Sequence, residues 1–212
     1  MTKLKGILLT EGMHGMISQV EGLAKALDIN YSHHTVETKG FWKVIPPKFT
    51  PISDSVFKKI ECEDVDLIIS CGRKSIIPSL FLKKNSKKKV FNIHIQNPKI
   101  KLDNFDLVVV PEHDNLDGHN VLKTKGAIHY LTSEEIEKDK EYLFSISSKL
   151  RDKNIISLII GGPTQYYDYS DRNIQEIFSK VNYLVKENNL NLVVIPSCLL
   201  YTSPSPRDTV RS

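Results

Sequence analysis

Residues 6–27 decide the fold of this chain, and they read GILLTEGMHGMISQVEGLAKAL. Residues 6–9 form a short apolar run, which is typical of a buried strand, and a turn with two glycines follows it. The next apolar residues recur at helical spacing: Ile17, Val20, Leu23, Ala24 and Leu27. We therefore predict a strand, a glycine-rich turn and an amphipathic helix over residues 16–27.

The same alternation of strand and helix continues along the chain. Strands are predicted over residues 31–36, 65–70, 90–96, 107–110, 121–124, 155–160 and 192–195. Further helices are predicted after residue 75, over residues 132–150 and after residue 170. Strands separated by helices favour right-handed crossovers, which build parallel sheets with helices on both faces. The predicted fold class is therefore α/β, with a Rossmann-like parallel sheet.

A domain boundary is predicted near Leu150, at the end of the long third helix. Residues 1–150 would form an N-terminal Rossmann-like domain, and residues 151–197 would begin a second one with strand, helix and strand. Two strands bury too little apolar surface to be stable alone, so the second domain is expected to be incomplete. Residues 198–212 show no strand or helix period and resemble a translated sequencing adapter. They are predicted to be a non-native tail, with a genuine C-terminal extension as the alternative.

The composition places the chain among soluble globular proteins. Hydrophobic residues make up 40% and charged residues 25%, which is too apolar for a disordered chain. The formal net charge of +4 comes without the dense basic stripes of a nucleic-acid binder, so no nucleic-acid partner is predicted. No apolar stretch is long enough to span a membrane, and the three cysteines lack the spacing of a zinc site. A cytoplasmic protein without a metal is the expectation.

Six stretches carry a family resemblance through their order and spacing. They are residues 12–27, 69–73 (ISCGR), 95–98 (IQNP), 105–114 (FDLVVVPEHD), 120–126 (NVLKTKG) and 160–163 (IGGP). Together they resemble the mitochondrial fission (elongated-mitochondria) family, whose bacterial members are regarded as GT-B-like glycosyltransferases. The resemblance implies two Rossmann-like domains, with the acceptor on the first and the donor on the second. It also implies a nucleotide-activated sugar as donor, no cofactor, and a place in cell-envelope glycan synthesis.

One departure from the family pattern bears on activity. In the family the last strand leads into a Ser-Arg-Arg-Thr-Pro segment, whereas Ser197 is followed here by Cys198, Leu199 and Leu200. Arginines suit a diphosphate because their guanidinium groups form paired hydrogen bonds, so this truncated chain is expected to be inactive. The alternative function is a non-catalytic adaptor, since plant members are associated with recruiting a dynamin-related partner to the mitochondrial surface. A dinucleotide-dependent oxidoreductase is disfavoured because the first turn lacks the third glycine of that fingerprint.

The candidate site residues follow the predicted strands, because ligands of open parallel sheets bind beyond the carboxyl ends of the strands. His14 is the candidate catalytic base, since an imidazole suits proton abstraction near neutral pH. A similar glycine-rich turn with histidine faces the acceptor in sugar transferases of the bacterial wall lipid pathway. A loop histidine bonded to a backbone carbonyl is the alternative. The candidate substrate-binding residues are Gly12, Gly15, Gln19, Gly72, Arg73, Gln96, Asn97, His113 and Asp114.

Each of these assignments has a structural alternative. Arg73 precedes a helix and would clamp a phosphate or a carboxylate there, or pair locally. Gln96 and Asn97 would contact a substrate, and the favoured alternative is a strand end followed by the turn proline Pro98. His113 and Asp114 would orient each other or a substrate, and a metal is disfavoured because no third ligand stands at metal spacing.

Two further features point to anionic partners. Gly161 and Gly162 follow the strand at residues 155–160 and are the candidate donor-phosphate site, with a tight turn as the alternative. The lysine-rich residues 83–89 would attract an anionic membrane surface or form a solvated loop. The predicted partners are therefore a nucleotide sugar and, peripherally, an anionic membrane, and the sequence identifies no protein partner.

Overall fold

The computed structural model describes residues 3–62, 64–161 and 170–196. The chain divides between Thr132 and Ser133 into two compact units. The first unit contains β1 (Lys5–Thr10), α1 (His14–Ala26), β2 (Asn30–Thr35), β3 (Leu67–Cys71), α2 (Ile76–Asn85), β4 (Phe91–Ile95), β5 (Leu107–Pro111) and β6 (Val121–Thr124). The second unit contains α3 (Ser133–Ile146), β7 (Ile155–Ile160), α4 (Asp171–Glu187) and β8 (Asn191–Pro196).

The six strands of the first unit form one parallel sheet in the order β2-β1-β3-β4-β5-β6. β1 pairs with β2 on one side and with β3 on the other, so the direction in which the chain winds reverses beside β1. All five residues of β3 are buried, as expected for a central parallel strand that is covered on both faces.

Helices cover both faces of this sheet. α1 packs through Val20 in a core cluster that contains Val109. α2 packs through Leu80 in a second cluster, which contains Val108. Since Val108 and Val109 are neighbours in β5 and successive strand residues point to opposite faces, α1 and α2 lie on opposite faces of the sheet.

A proline-rich connection links β2 to β3 and contains short 3-10 turns at Gly40–Lys43, Pro47–Phe49 and Asp54–Val56. Its C-terminal part is anchored to the domain, because Val56 and Phe57 are buried in the core beneath α2. The backbone N–H of Lys39 donates to the carbonyl of Val56 at 2.8 Å. The connection is therefore held to the sheet although it contains no long regular element.

In the second unit β7 and β8 form a parallel pair, in register from Ile155 and Asn191 to Ile160 and Pro196. α4 begins after Ser170, whose hydroxyl accepts a hydrogen bond from the first turn of the helix. Among the described residues of α3, β7, α4 and β8, no side chain is fully buried. Two strands and their helices thus leave much of their apolar surface uncovered, which is the expected property of so small a sheet.

The α/β, Rossmann-like fold class predicted from the sequence is confirmed. The helix predicted over residues 16–27 is α1, which begins two residues earlier, at His14. The sequence prediction placed the domain boundary near Leu150, whereas the structure groups α3 with the second unit. The predicted tail, residues 198–212, lies outside the described residues. Across the ranges that the structure describes, no helix has the length and apolar character needed to cross a bilayer.

Candidate functional site

The loops after β1 and β3 meet at the point where the winding of the sheet reverses. β1 leads through α1 to β2 on one side, while β3 lies on its other side and leads to α2. The connections therefore diverge and leave the two loops side by side at the carboxyl edge. Open parallel sheets bind their ligands at this kind of position.

The loop after β1 turns sharply at Gly12, whose φ of +86° is a conformation that favours glycine. The N–H of Gly12 donates to the hydroxyl of Thr10 at 3.1 Å, which fixes the start of the turn. Thr10 is fully buried, and its hydroxyl is also hydrogen-bonded to Nε2 of His33 at 2.8 Å. Burial lowers the pKa of His33, with Glu21 opposing that shift, so the neutral imidazole is favoured behind the loop.

The loop after β3 turns at Gly72, where φ is +94°. A Cβ atom there would lie 2.7 Å from the sulfur of Met16 in α1 and 2.9 Å from Oε1 of Glu11. Only glycine fits such a close approach without displacing its neighbours. The two loops are therefore in direct contact, and the positive φ of Gly12 and Gly72 is the main reason for glycine at both positions.

A carboxylate joins the two loops. Oε1 of Glu11 accepts a hydrogen bond from the backbone N–H of Lys74 at 3.0 Å, and Oε2 lies 3.2 Å from Nζ of the same lysine. The Glu11 side chain is only 15% exposed, so water screens this pair less than it screens a surface ion pair. Glu11 and Lys74 are not among the predicted site residues, and the only sequence signal for them is that each lies within two positions of a predicted loop glycine.

His14 is the first residue of α1 and is exposed at this edge. Among the described residues, no side chain caps the N-terminus of α1, and its first turn carries no acidic residue. The first N–H groups of the helix therefore face the edge with a favourable dipole for an anion. A Cβ atom at Gly15 would meet nothing within 4 Å, so space is open beside these N–H groups. Gln19 lies one turn further along and donates from Nε2 to the carbonyl of Gly15 at 3.2 Å.

Arg73 lies at the same edge and forms a local contact. Its Nη2 donates to the backbone carbonyl of Lys43 at 3.0 Å, which ties the β3 loop to the Gly40–Lys43 turn. The guanidinium has five N–H donors, so one bond to a carbonyl leaves capacity for a further anion. The structure thus shows the local pairing, and phosphate binding by Arg73 stays a prediction.

Gln96 and Asn97 follow β4, the next strand along the edge. Gln96 has φ +87°, which is strained for a residue with a side chain, and its N–H donates to the carbonyl of Val109 at 2.8 Å. Oδ1 of Asn97 accepts from the N–H of Lys99 at 3.0 Å and so closes a turn. These hydrogen bonds support the interpretation that Gln96 and Asn97 end β4 and begin a turn.

His113 and Asp114 follow β5, two strands from β3 and hence roughly 10 Å further along the edge. Nε2 of His113 lies 3.7 Å from Oδ1 of Asp114, which is too long for a hydrogen bond. The structure therefore brings together the predicted residues of the β1 and β3 loops and leaves this pair two strands away from β3. Within the described residues, no group of three potential metal ligands occurs.

The predicted donor-phosphate site belongs to the second unit. Gly161 follows β7 directly and is exposed, while Gly162 lies outside the described residues. A phosphate-binding role for the two glycines stays a prediction.

Comparisons with known proteins give one consistent result. The family model described as Mitochondrial fission ELM1 matches residues 14–198. Among curated proteins, the mitochondrial fission protein ELM1 of Arabidopsis thaliana is 35% identical over 48 residues, which are 23% of this chain and 11% of the plant protein. The matched segment thus spans only a small part of that relative's length, and no solved structure matches the chain. Because the family model covers most of the sequence, the chain belongs to the mitochondrial fission ELM1 family.

Proposed function

We propose that this chain takes part in glycosyl transfer from a nucleotide-activated sugar, and that the edge formed by the β1 and β3 loops receives the acceptor. The observation that supports this proposal is the contact of the two loops at the winding reversal, where Glu11 joins Lys74. Open parallel sheets bind ligands there. The resemblance of bacterial family members to GT-B enzymes supplies the reaction class.

In the proposed reaction His14 acts as the general base. An imidazole nitrogen takes the proton of an acceptor hydroxyl, and the resulting oxygen nucleophile attacks the anomeric carbon of the donor. The bond from that carbon to the phosphate oxygen breaks, and its electron pair leaves with the nucleotide. The uncapped N-terminus of α1 favours negative charge beside His14 by about 0.3–1 kcal/mol, so it assists the reaction without driving it.

The test is a His14→Ala substitution at the aligned position of a full-length family member. We expect turnover with the productive donor, chosen from UDP-, GDP- and CMP-linked sugars, to fall by about 10²-fold or more, because general-base catalysis contributes at least that much. Donor affinity should stay unchanged, since the base acts on the acceptor. His119→Ala is the matched control, because this exposed histidine precedes β6 at the opposite edge of the sheet. Unchanged turnover in the His14 variant would remove the base assignment.

A non-catalytic adaptor is the second candidate, because the family and its plant member are named for mitochondrial fission. In this proposal the chain recruits a dynamin-related partner to a membrane from the cytoplasmic side. The same donor titration separates the two functions. Saturable binding with release of the nucleotide supports the enzyme, whereas a full-length member that binds none of the three donors supports the adaptor.

A further inference from the structure

Residues 39–52, in the connection between β2 and β3, expose a cluster of large apolar side chains. Phe41 is 63% exposed, Val44 75%, Phe49 70% and Ile52 41%. The four residues lie within twelve positions along one connection, and exposed apolar surface concentrated on a folded domain is typical of a contact site. The segment is therefore a candidate contact surface.

The same segment is basic. It carries Lys39, Lys43 and Lys48, and residues 38–53 contain no acidic residue. The neighbouring loop after β4 adds Lys99 and Lys101. None of these five lysines forms an ion pair with a carboxylate in the part of the chain that the structure describes. We call residues 39–52 and 99–101 together the basic apolar face.

A groove of about 560 Å³ runs between the two segments of this face. Ile77 and Leu80 of α2 contribute to its apolar lining. Lys48 and Ile52 line it from the first segment, and Ile100 and Lys101 from the second. An apolar lining with lysines beside it matches a molecule that has a hydrocarbon part and an anionic head.

The face is held in place by the fold. The carbonyl of Lys43 accepts the hydrogen bond from Arg73, and Trp42 packs against the core cluster beneath α2. The rings of Phe41 and Trp42 lie 4.3 Å apart, so Phe41 points outward from an anchored neighbour. Apolar side chains that the folded chain already holds at its surface lose little conformational freedom when that surface binds a partner.

We propose that the basic apolar face docks onto an anionic phospholipid bilayer. Phe41, Val44 and Phe49 enter the boundary between headgroups and acyl chains, and the lysines lie among the phosphates. A folded protein partner is disfavoured because flexible lysines interleaved with apolar residues suit a fluid, negatively charged surface. This inference does not depend on the proposed glycosyl transfer, but it would orient Arg73 and the carboxyl edge toward the membrane.

The lysine-rich residues 83–89 are the competing surface on the first unit. Lys83 is paired there with Asp106, and Lys88 with Asp66, so part of the positive charge is already neutralised. This segment also leads into β4 at the amino edge of the sheet, away from the β1 and β3 loops. It therefore provides a matched control with similar charge and a different position.

The experiment measures binding of the purified chain to sedimenting vesicles of phosphatidylcholine, alone or with one quarter phosphatidylglycerol. We expect binding to the anionic vesicles, weakened at about 0.5 M salt because the lysine contribution is screened. The double variant Lys43→Gln/Lys48→Gln should bind about 25-fold more weakly, at about fivefold for each lysine. Phe41→Ser/Phe49→Ser should bind at least about tenfold more weakly because two aromatic side chains no longer leave water. The control Lys84→Gln/Lys87→Gln should stay within about threefold of the original chain.

Trp42 gives an independent readout, because it is the only tryptophan in the chain. Phospholipids brominated on their acyl chains should quench its fluorescence when the chain binds anionic vesicles. Failure to bind anionic vesicles, binding without quenching of Trp42, or an equal loss in the Lys84/Lys87 control would each overturn the proposal. Circular dichroism of every variant confirms that the surface substitutions leave the fold intact.

Discussion

Acidification should destabilise the first unit through His94, a histidine in the middle of the sheet. Its side chain is buried on β4, where Nδ1 is hydrogen-bonded to the hydroxyl of Ser70 at 2.9 Å and the ring stacks on Phe105. Burial lowers the pKa of His94 to about 3, because the imidazolium would lose its hydration there. The folded state therefore holds this histidine neutral throughout the ordinary pH range.

The sign and the size of the effect follow from linkage. In the unfolded chain the pKa of His94 is about 6.5, so below that pH the unfolded state binds a proton that the folded state refuses. Stability is fully present above about pH 6.5 and is lost as the pH falls toward about 3. At about pH 5, which is about 1.5 pH units below the pKa of the unfolded chain, the loss of stability is about 2 kcal/mol. That is a large part of the total stability of about 5–15 kcal/mol that is typical of a domain.

The assay is urea unfolding at about pH 8 and about pH 5, followed by the fluorescence of Trp42, which belongs to the first unit. A His94→Gln variant serves as the comparison, because it cannot take up the proton in either state. We expect the free energy of unfolding of the original chain to fall by about 2 kcal/mol more than that of the variant between the two pH values. The carboxylates change the free energy of unfolding equally in both proteins, so their contribution cancels in the comparison. Equal losses in the two proteins would refute the assignment of the acid sensitivity to His94.

Two further predictions concern packing and thiol chemistry. Gly22→Ala should lower the free energy of unfolding by about 1–3 kcal/mol in a denaturant titration, because a Cβ atom there would lie 2.5 Å from the backbone of His129. Gly15→Ala is its control, with open space around the new methyl group, and equal losses in both variants would contradict the packing argument. Burial raises the pKa of Cys71 to about 12, so iodoacetamide should modify the exposed Cys62 much faster than Cys71 in the native chain at about pH 8. Peptide mass spectrometry would measure both rates, and similar rates would contradict the burial of Cys71.

The strands and helices of the first unit could be predicted because each is a short local pattern. β5, for example, is an apolar run that ends at Pro111, and α1 follows a turn that contains Gly12. The order of the strands could not be read in the same way. β1 pairs with β3 across some 60 residues, and the choice of neighbour depends on how the whole chain winds.

α3 shows that a local sequence pattern can predict a helix without predicting the unit to which the helix belongs. Its sequence predicts a helix over residues 132–150, and the structure contains one at Ser133–Ile146. A local helix signal does not identify the sheet against which the helix packs. The sequence prediction therefore assigned α3 to the preceding domain, whereas the structure places it in the unit that contains β7 and β8.

The candidate site was predictable only in part, for a related reason. A parallel sheet directs the ends of its strands to one edge, so polar residues after each strand could be collected from the sequence. The strand order determines which loops touch. The contact between Glu11 and Lys74, which are 63 positions apart, therefore could not be predicted from the sequence. The same order explains why His113, which the sequence analysis groups with the other candidates, lies two strands away from the β3 loop.

Glycine by itself is weak evidence for a ligand at this edge. Gly12 and Gly72 both have a positive φ, and a Cβ atom at Gly72 would clash with Met16, so the backbone requires these glycines whether or not a ligand binds. Gly15 differs, because it is the exposed second residue of α1, its φ is not positive, and a Cβ atom there would meet nothing within 4 Å. Neither packing nor backbone conformation requires a glycine at this position, so alanine should fit there. Of the three glycines, Gly15 is therefore the one for which substrate contact stays a prediction that packing does not replace.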